Sequence, residues 1–173
     1  MSVEDVGDLI AYLRALPPVR TRTRPPDVMF PFDVRRLVGL WKLFYFRQEP
    51  IEPIAHESAA WNRGRYLVEA VAHCAECHSS RDILGGIRPD TRFAGGPDPE
   101  GTGFVPNITP ARLGQWSVND LVEVLTNGRT PDGRNVGSSM AGIVHNTAML
   151  PQSDREAIAV YIKSLPPRPT PPP

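Results

Sequence analysis

Cys74-Ala75-Glu76-Cys77-His78 is the stretch from which the rest of this chain is read. Two thiols three positions apart, with an imidazole directly after them, match the attachment signature of a c-type haem. The chemistry sets the spacing. Each thiol adds to one vinyl group of a rigid macrocycle, and the histidine then lies under the ring with a nitrogen toward the iron. Three other readings compete. A zinc site wants four ligands, usually from two such pairs, and the chain has only two cysteines. A dithiol redox site needs a strand before the motif and a helix after it, whereas here a helical pattern precedes and a Gly/Pro-rich stretch follows. A pair of buried thiols beside an unrelated histidine is the plainest alternative. Haem c attached through Cys74 and Cys77, with His78 as an iron ligand, is the reading favoured.

Working outward, 173 residues hold one ordinary domain plus flanking segments. Nineteen basic residues balance nineteen acidic ones, which gives no reason to expect nucleic acid as a partner. Twenty prolines argue for loops and connectors around a modest helical core. No apolar run approaches membrane-spanning length, and Met1-Ser2-Val3-Glu4-Asp5 does not open a signal peptide. Because c-type haem is attached after export to an oxidising compartment, the expected location is the periplasm or the periplasmic face of the inner membrane. An upstream segment carrying the export signal is then expected as well.

Residues 2–16 read as an amphipathic helix, with Ser2 as N-cap and Asp5 three residues on. The stretch Asp8-Leu9-Ile10-Ala11-Tyr12-Leu13-Arg14-Ala15-Leu16-Pro17-Pro18 lines up with Ala157-Ile158-Ala159-Val160-Tyr161-Ile162-Lys163-Ser164-Leu165-Pro166-Pro167. Residues 1–18 are therefore expected to be the last helix of a preceding copy of the domain. Residues 19–57 read as a connector, Arg/Pro-rich at first and then aromatic from 30 to 46. That aromatic and basic segment is expected to pack on a domain surface. The sharper alternative is docking on a partner subunit or on the membrane interface as a peripheral contact.

The haem-bearing domain is expected over 58–167. A helix over 59–72, with Trp61, Tyr66, Leu67, Ala70 and Val71 facing inward, delivers the chain to Cys74. Residues 79–110 form a Gly/Pro-rich loop that cannot be a regular core but can wrap a flat apolar ligand. Ser117 with Asp120 opens a helix over 118–126 that stops at Asn127-Gly128. Residues 130–150 read as loop. Ser153 with Glu156 opens the last helix, and residues 168–173 form a Pro-rich tail, extended or disordered.

For the sixth iron position the candidates are Met29, Met140, Met149, His56, His73 and His145. His73 precedes Cys74 directly, so its tether keeps it from the opposite haem face. Met140 lies in the small-residue context Gly137-Ser138-Ser139-Met140-Ala141-Gly142, where backbone and sulfur can approach closely. Met149, before Leu150-Pro151, reads as a core anchor. Met140 is favoured, with Met149, His145 or an open position as alternatives. Filled coordination by His78 and Met140 means electron transfer and no enzymatic activity, whereas an open position would permit catalysis.

With Trp61-Asn62-Arg63-Gly64-Arg65-Tyr66-Leu67, Pro106-Asn107-Ile108-Thr109-Pro110, Trp116-Ser117 with Asp120-Leu121, and Ala159-Val160-Tyr161-Ile162-Lys163-Ser164-Leu165-Pro166 in order around the motif, residues 58–167 resemble the cytochrome c family. More narrowly, they are similar to the haem domains of multihaem cytochrome c subunits that serve membrane-bound alcohol and gluconate dehydrogenases. The resemblance implies the all-α cytochrome c fold, short helices and long loops around a covalently bound haem. Its first and last helices would cross, with Gly64 and Tyr161 near the crossing. It implies Cys74 and Cys77 as thioether sites, His78 and Met140 as axial ligands, and Asn107 and Trp116 as haem-pocket contacts. It also implies a connector at 30–46 between two haem domains. The function implied is relay of electrons from a dehydrogenase subunit toward the quinone or oxidase side of a respiratory chain. The competing class is one half of a dihaem oxidoreductase acting on thiosulfate or a peroxide.

Overall fold

Capping residues set most of the helix boundaries. In the computed structural model, residues 1–47, 49–98 and 103–172 are described. Gln48 of the expected connector, residues 99–102 of the long loop and Pro173 of the tail lie outside them. The chain divides into two units, Met1–Ile51 and Glu52–Pro173.

Among its described residues the first unit holds two helices. α1 spans Val3–Ala15, and the Ser2 hydroxyl accepts from the Asp5 N–H at 3.0 Å. Glu4 and Asp5 sit in its first turn and Arg14 in its last, the polarity favoured by the helix dipole. Leu16 turns extended ahead of the two prolines and ends it. No residue of α1 is buried. The segment 19–57, expected only as a connector, contains a second helix, α2, over Arg35–Tyr45. Leu37, Leu40, Trp41 and Phe44 fall at helical spacing there. Trp41 stacks on Tyr45 with ring centroids 4.8 Å apart, and Lys42 lies over the Phe46 ring.

The second unit is mainly helical, as the sequence leads one to expect. α3 spans Ala59–Tyr66 and is capped by Ser58. It does not run on as a regular helix to Ala72, because residues Leu67–Val71 form a π turn. Ala72 N–H bonds back five residues, to the Leu67 carbonyl at 2.7 Å. In α register Val71 would share the face of Leu67; the wider turn moves the face on, leaving Val71 44 % exposed and Val68 fully buried. The rest of the helical frame is α4 (Pro110–Leu113), α5 (Val118–Asn127), α6 (Ser139–Thr147) and α7 (Gln152–Ser164). The only paired strands among the described residues are two-residue pieces, β1 (Gly96–Pro97) against β2 (Phe104–Val105), antiparallel.

α3 and α7 meet at Gly64, as the resemblance implies. The Trp61 ring stands edge-on to Tyr161 at 5.1 Å, and its indole N–H donates to Ser164 Oγ at 2.6 Å. Arg63 grips Asp154 with two bonds of 2.8 Å. The Tyr161 hydroxyl donates to Glu69 at 2.8 Å, and Glu69 also pairs with Arg92. Leu67, Leu121, Leu125, Ile158 and Ile162 pack beneath this crossing.

α5 carries the capping box read from sequence: Ser117 Oγ accepts from Asp120 N–H, and Asp120 accepts from Ser117 N–H at 2.7 Å. It ends at Gly128 with φ +76°. Two expectations fail. Residues 139–147 of the expected loop are helical, and the buried Thr147 hydroxyl ties α6 to the end of α5 by donating to the Leu125 carbonyl at 2.6 Å. Ser153 does not cap α7; Pro151 does, and Ser153 lies inside the first turn. The described part of the Gly/Pro-rich loop forms no regular core, as expected. It supplies some of the most deeply buried side chains, Phe93, Asn107 and Thr109.

Candidate haem site

Helix geometry ends abruptly ahead of the cysteines. His73 takes a left-handed conformation, φ 39° and ψ 45°, and the chain re-enters as a tight 3₁₀ turn over Cys74–Glu76. Glu76 N–H bonds to the His73 carbonyl and His78 N–H to the Cys74 carbonyl. Cys74, Cys77 and His78 thus share one continuous turn, with Ala75 buried between the thiols. Arg81 holds the outer side of the turn through the Glu76 carbonyl and carboxylate.

Both cysteines are half-buried. Burial pushes the Cys74 thiol up to about 11, with the Glu69 carboxylate adding to the effect. At neutral pH Cys74 is therefore a thiol, which disfavours an activated thiolate nucleophile at this position. Among the described residues no group of three or more His, Cys, Asp or Glu side chains gathers to hold a metal on its own. The zinc reading has no donor set there.

His78 is fixed by its ring. Nδ1 lies 2.7 Å from the Pro106 carbonyl oxygen. A carbonyl can only accept, so Nδ1 carries the proton and Nε2 carries the lone pair. Burial also lowers the imidazole's pKa and keeps it neutral. A neutral imidazole with one nitrogen tied to a carbonyl and the other offering a lone pair is the arrangement in which histidine ligates iron. Its own carbonyl accepts from Gly95 N–H at 2.9 Å. Gly95 has φ +88°, and a Cβ there would stand 2.6 Å from the Val105 carbonyl oxygen, so only glycine admits this approach.

The other expected site residues come from separate elements. Asn107 is 1 % exposed. Its Oδ1 accepts from Thr109 N–H and hydroxyl at 2.7 and 2.8 Å, and its Nδ2 donates to Arg168 O and Thr170 Oγ1 at 2.8 and 3.1 Å. Trp116 packs against the core between α4 and α5, and its carbonyl accepts from Lys163. Met140 is half-buried in the first turn of α6, two residues after Ser138 at φ 52° and ψ −145°. Non-glycine residues held at positive φ therefore stand just ahead of both Cys74 and Met140. Met149 is no core anchor: it is 70 % exposed, and Leu150 makes the inward contact instead. His145 is exposed. Pro106, Thr109 and Arg168 were not singled out from sequence as site residues, although Pro106 and Thr109 lie within one of the stretches that carry the resemblance.

No protein-family model matches the chain. Individual proteins do. A protein named diheme cytochrome c-type from Cereibacter sphaeroides is 48 % identical over 166 residues, 94 % of this chain and 54 % of that protein. The fructose dehydrogenase cytochrome subunit of Gluconobacter japonicus is 36 % identical over 94 % of this chain and 34 % of its own length. The cytochrome c subunit of a quinone-type alcohol dehydrogenase from Gluconacetobacter polyoxogenes is 30 % identical over 98 % and 38 %. This chain resembles the cytochrome c subunits of dehydrogenases. It spans about half the length of the first of these relatives and about a third of the other two. Its helical frame and α3–α7 packing are consistent with an all-α cytochrome c fold.

Proposed function

We propose that this chain is an electron-transfer domain and not a catalytic one. Haem c would be bound covalently through Cys74 and Cys77, with His78 and Met140 as axial ligands. The observation that carries this reading is the 2.7 Å contact between His78 Nδ1 and the Pro106 oxygen. It aims a neutral imidazole and leaves Nε2 free to ligate, on the same turn as both thiols. When bound, the haem supplies a one-electron iron couple, and thioether ligation favours its ferrous form. The chain's own part is to hold the thiols and imidazole in register, keep the His78 ring from rotating, and bury the motif's inner side behind Ala75 and Phe93. A pyridine haemochrome assay on protein matured in the periplasm tests it. One c-type haem per chain is expected, and none after Cys74→Ala with Cys77→Ala.

The names of the relatives support a dehydrogenase as partner; the quinone or oxidase side would then be the acceptor, and the attachment of c-type haem after export favours the periplasm as the location. None of the helices among the described residues is long and apolar enough to cross a membrane. The amphipathic α2 suits a peripheral contact instead: Arg35, Arg36 and Lys42 share it with the exposed Leu40, Leu43 and Phe44. Sedimentation with anionic vesicles, lost on Leu43→Asp with Phe44→Asp, tests that contact.

A preceding haem domain is proposed from α1. It has the same thirteen-residue length as α7, the same position in the aligned repeat, and the same extended leucine after it. The α7 residues that meet α3 have Asp5, Leu9, Tyr12 and Leu13 in the corresponding or equivalent places. The length of the relatives agrees with such a domain.

A further inference from the structure

α7 ends at Ser164 and is capped by the buried Leu165, and Pro166-Pro167 then force the chain into an extended course. That course does not leave the fold. Arg168 N–H donates to Thr109 Oγ1 at 3.2 Å, its carbonyl accepts from Asn107 Nδ2 at 2.8 Å, and its guanidinium donates to the Arg92 carbonyl at 2.8 Å. Thr170 takes the second amide proton of Asn107. With Thr109 supplying two donors to Oδ1, every hydrogen-bonding atom of this buried amide is used within the protein.

Asn107 follows the residue that orients His78. The Pro106 carbonyl and the Asn107 N–Cα bond lie in a single peptide plane. Whatever fixes Asn107 therefore fixes the direction of the oxygen that accepts from His78 Nδ1. On the other side of this segment, Ile108 N–H is held by the Phe93 carbonyl at 2.9 Å. The chain after α7 is thus two contacts away from the imidazole.

We propose that residues 168–170 act as a strap that sets the His78 ring through Asn107 and Pro106, making Asn107 a positioning residue rather than a haem contact. The proposal rests on His78 being an iron ligand. A hydrogen bond donated by Nδ1–H makes the imidazole a stronger donor and favours the ferric state. Slackening the strap weakens that bond and raises the reduction potential.

The test compares the full chain with truncation after Pro167 and with Asn107→Ala, each loaded with haem. Truncation leaves all of α7 and the buried Leu165 in place, so it keeps the question open to measurement if Asn107→Ala does not fold. Potentiometry is expected to give an upward shift for both variants. Combining them should add little, because both act along one chain of contacts. NMR of the reduced protein is expected to show faster solvent exchange of the His78 Nδ1 proton. A fall in thermal stability with unchanged potential and unchanged proton exchange would mean a merely structural role and would overturn the strap. If His78 shows no hyperfine shift in the oxidised protein, the failure lies with the ligand assignment instead.

Discussion

A Cβ placed on Gly64 would stand 1.9 Å from the carbonyl oxygen of Ala157 and 2.9 Å from Tyr161 Cβ. The first of these is backbone in the middle of α7 and cannot step aside without moving the helix. Van der Waals contact here needs nearly twice that distance.

Gly64→Ala should therefore destabilise the domain, although alanine is the better helix former by about 1 kcal/mol. Overpacking a core costs typically about 1–3 kcal/mol and more against rigid backbone. We expect a loss of about 3 kcal/mol, read from the guanidinium midpoint of the haem-loaded protein. Gly142 in α6 is the control. Nothing lies within 4 Å of its Cβ position, so Gly142→Ala should be neutral or stabilising by up to about 1 kcal/mol.

The residues that sequence reasoning placed well are those whose role is local. Ser2, Ser117 and Asp120 cap because a hydroxyl or carboxylate three residues from an N–H reaches it in any protein. Gly64 and Tyr161 could be paired only through the family resemblance, since no local rule brings residues 97 apart together. The misses have physical causes. One extra residue in the turn after Tyr66 rotated the inward face, which periodicity at a fixed 3.6 cannot anticipate. α6 is rich in small residues and buries only Val144 and Thr147, so its apolar signal is weak. Ser153 and Glu156 match a capping pattern, but Pro151 accepts from Asp154 N–H and starts α7 before that pattern can act. The role of Arg168 rests mostly on its backbone atoms, which leave no mark on residue type.

Met140 and Met149 differ in setting, one half-buried behind a strained Ser138 and the other 70 % exposed on the turn into α7. Met140→Ala should lower the reduction potential and let cyanide or carbon monoxide bind the iron, while Met149→Ala should change neither. Absorbance near the sulfur–iron charge-transfer band, with and without added ligand, distinguishes them. The reverse pattern would move the ligand to Met149.

Acid should weaken the α3–α7 crossing through Asp154. The two hydrogen bonds from Arg63 hold its carboxyl below the ordinary carboxylate value, against a smaller effect of burial. A depressed folded-state pKa means the stabilisation is present above the unfolded value, near 3.8, and is lost as pH falls through the folded one. Arg63 is half exposed, so the pair is worth only about 1 kcal/mol. Asp154→Asn should be less stable than the parent by that amount at pH 7. The gap should close as pH falls below the unfolded value and through the depressed folded one, in paired denaturation curves. A gap that stayed constant with pH would place the stabilisation in packing rather than in the ion pair.

The face of α1 gives the last prediction. Aligned on the Leu-Pro-Pro endings, Asp5 takes the place of Asp154, Tyr12 of Tyr161 and Arg14 of Lys163. In α7 those three meet Arg63, Glu69 and the carbonyls at the end of α4. Tyr161 is buried there, and burial with the Glu69 carboxylate beside it raises its phenol above the ordinary tyrosine value. Tyr12 is 63 % exposed. If α1 closes a preceding haem domain, a helix of that domain should cover it with a small residue opposite Asp8 and a basic residue opposite Asp5. In the longer protein Tyr12→Asp should unfold the upstream domain while leaving the spectrum of the haem at Cys74 and Cys77 intact. Both haem spectra unchanged in the aspartate variant would show that α1 is not the closing helix of another domain.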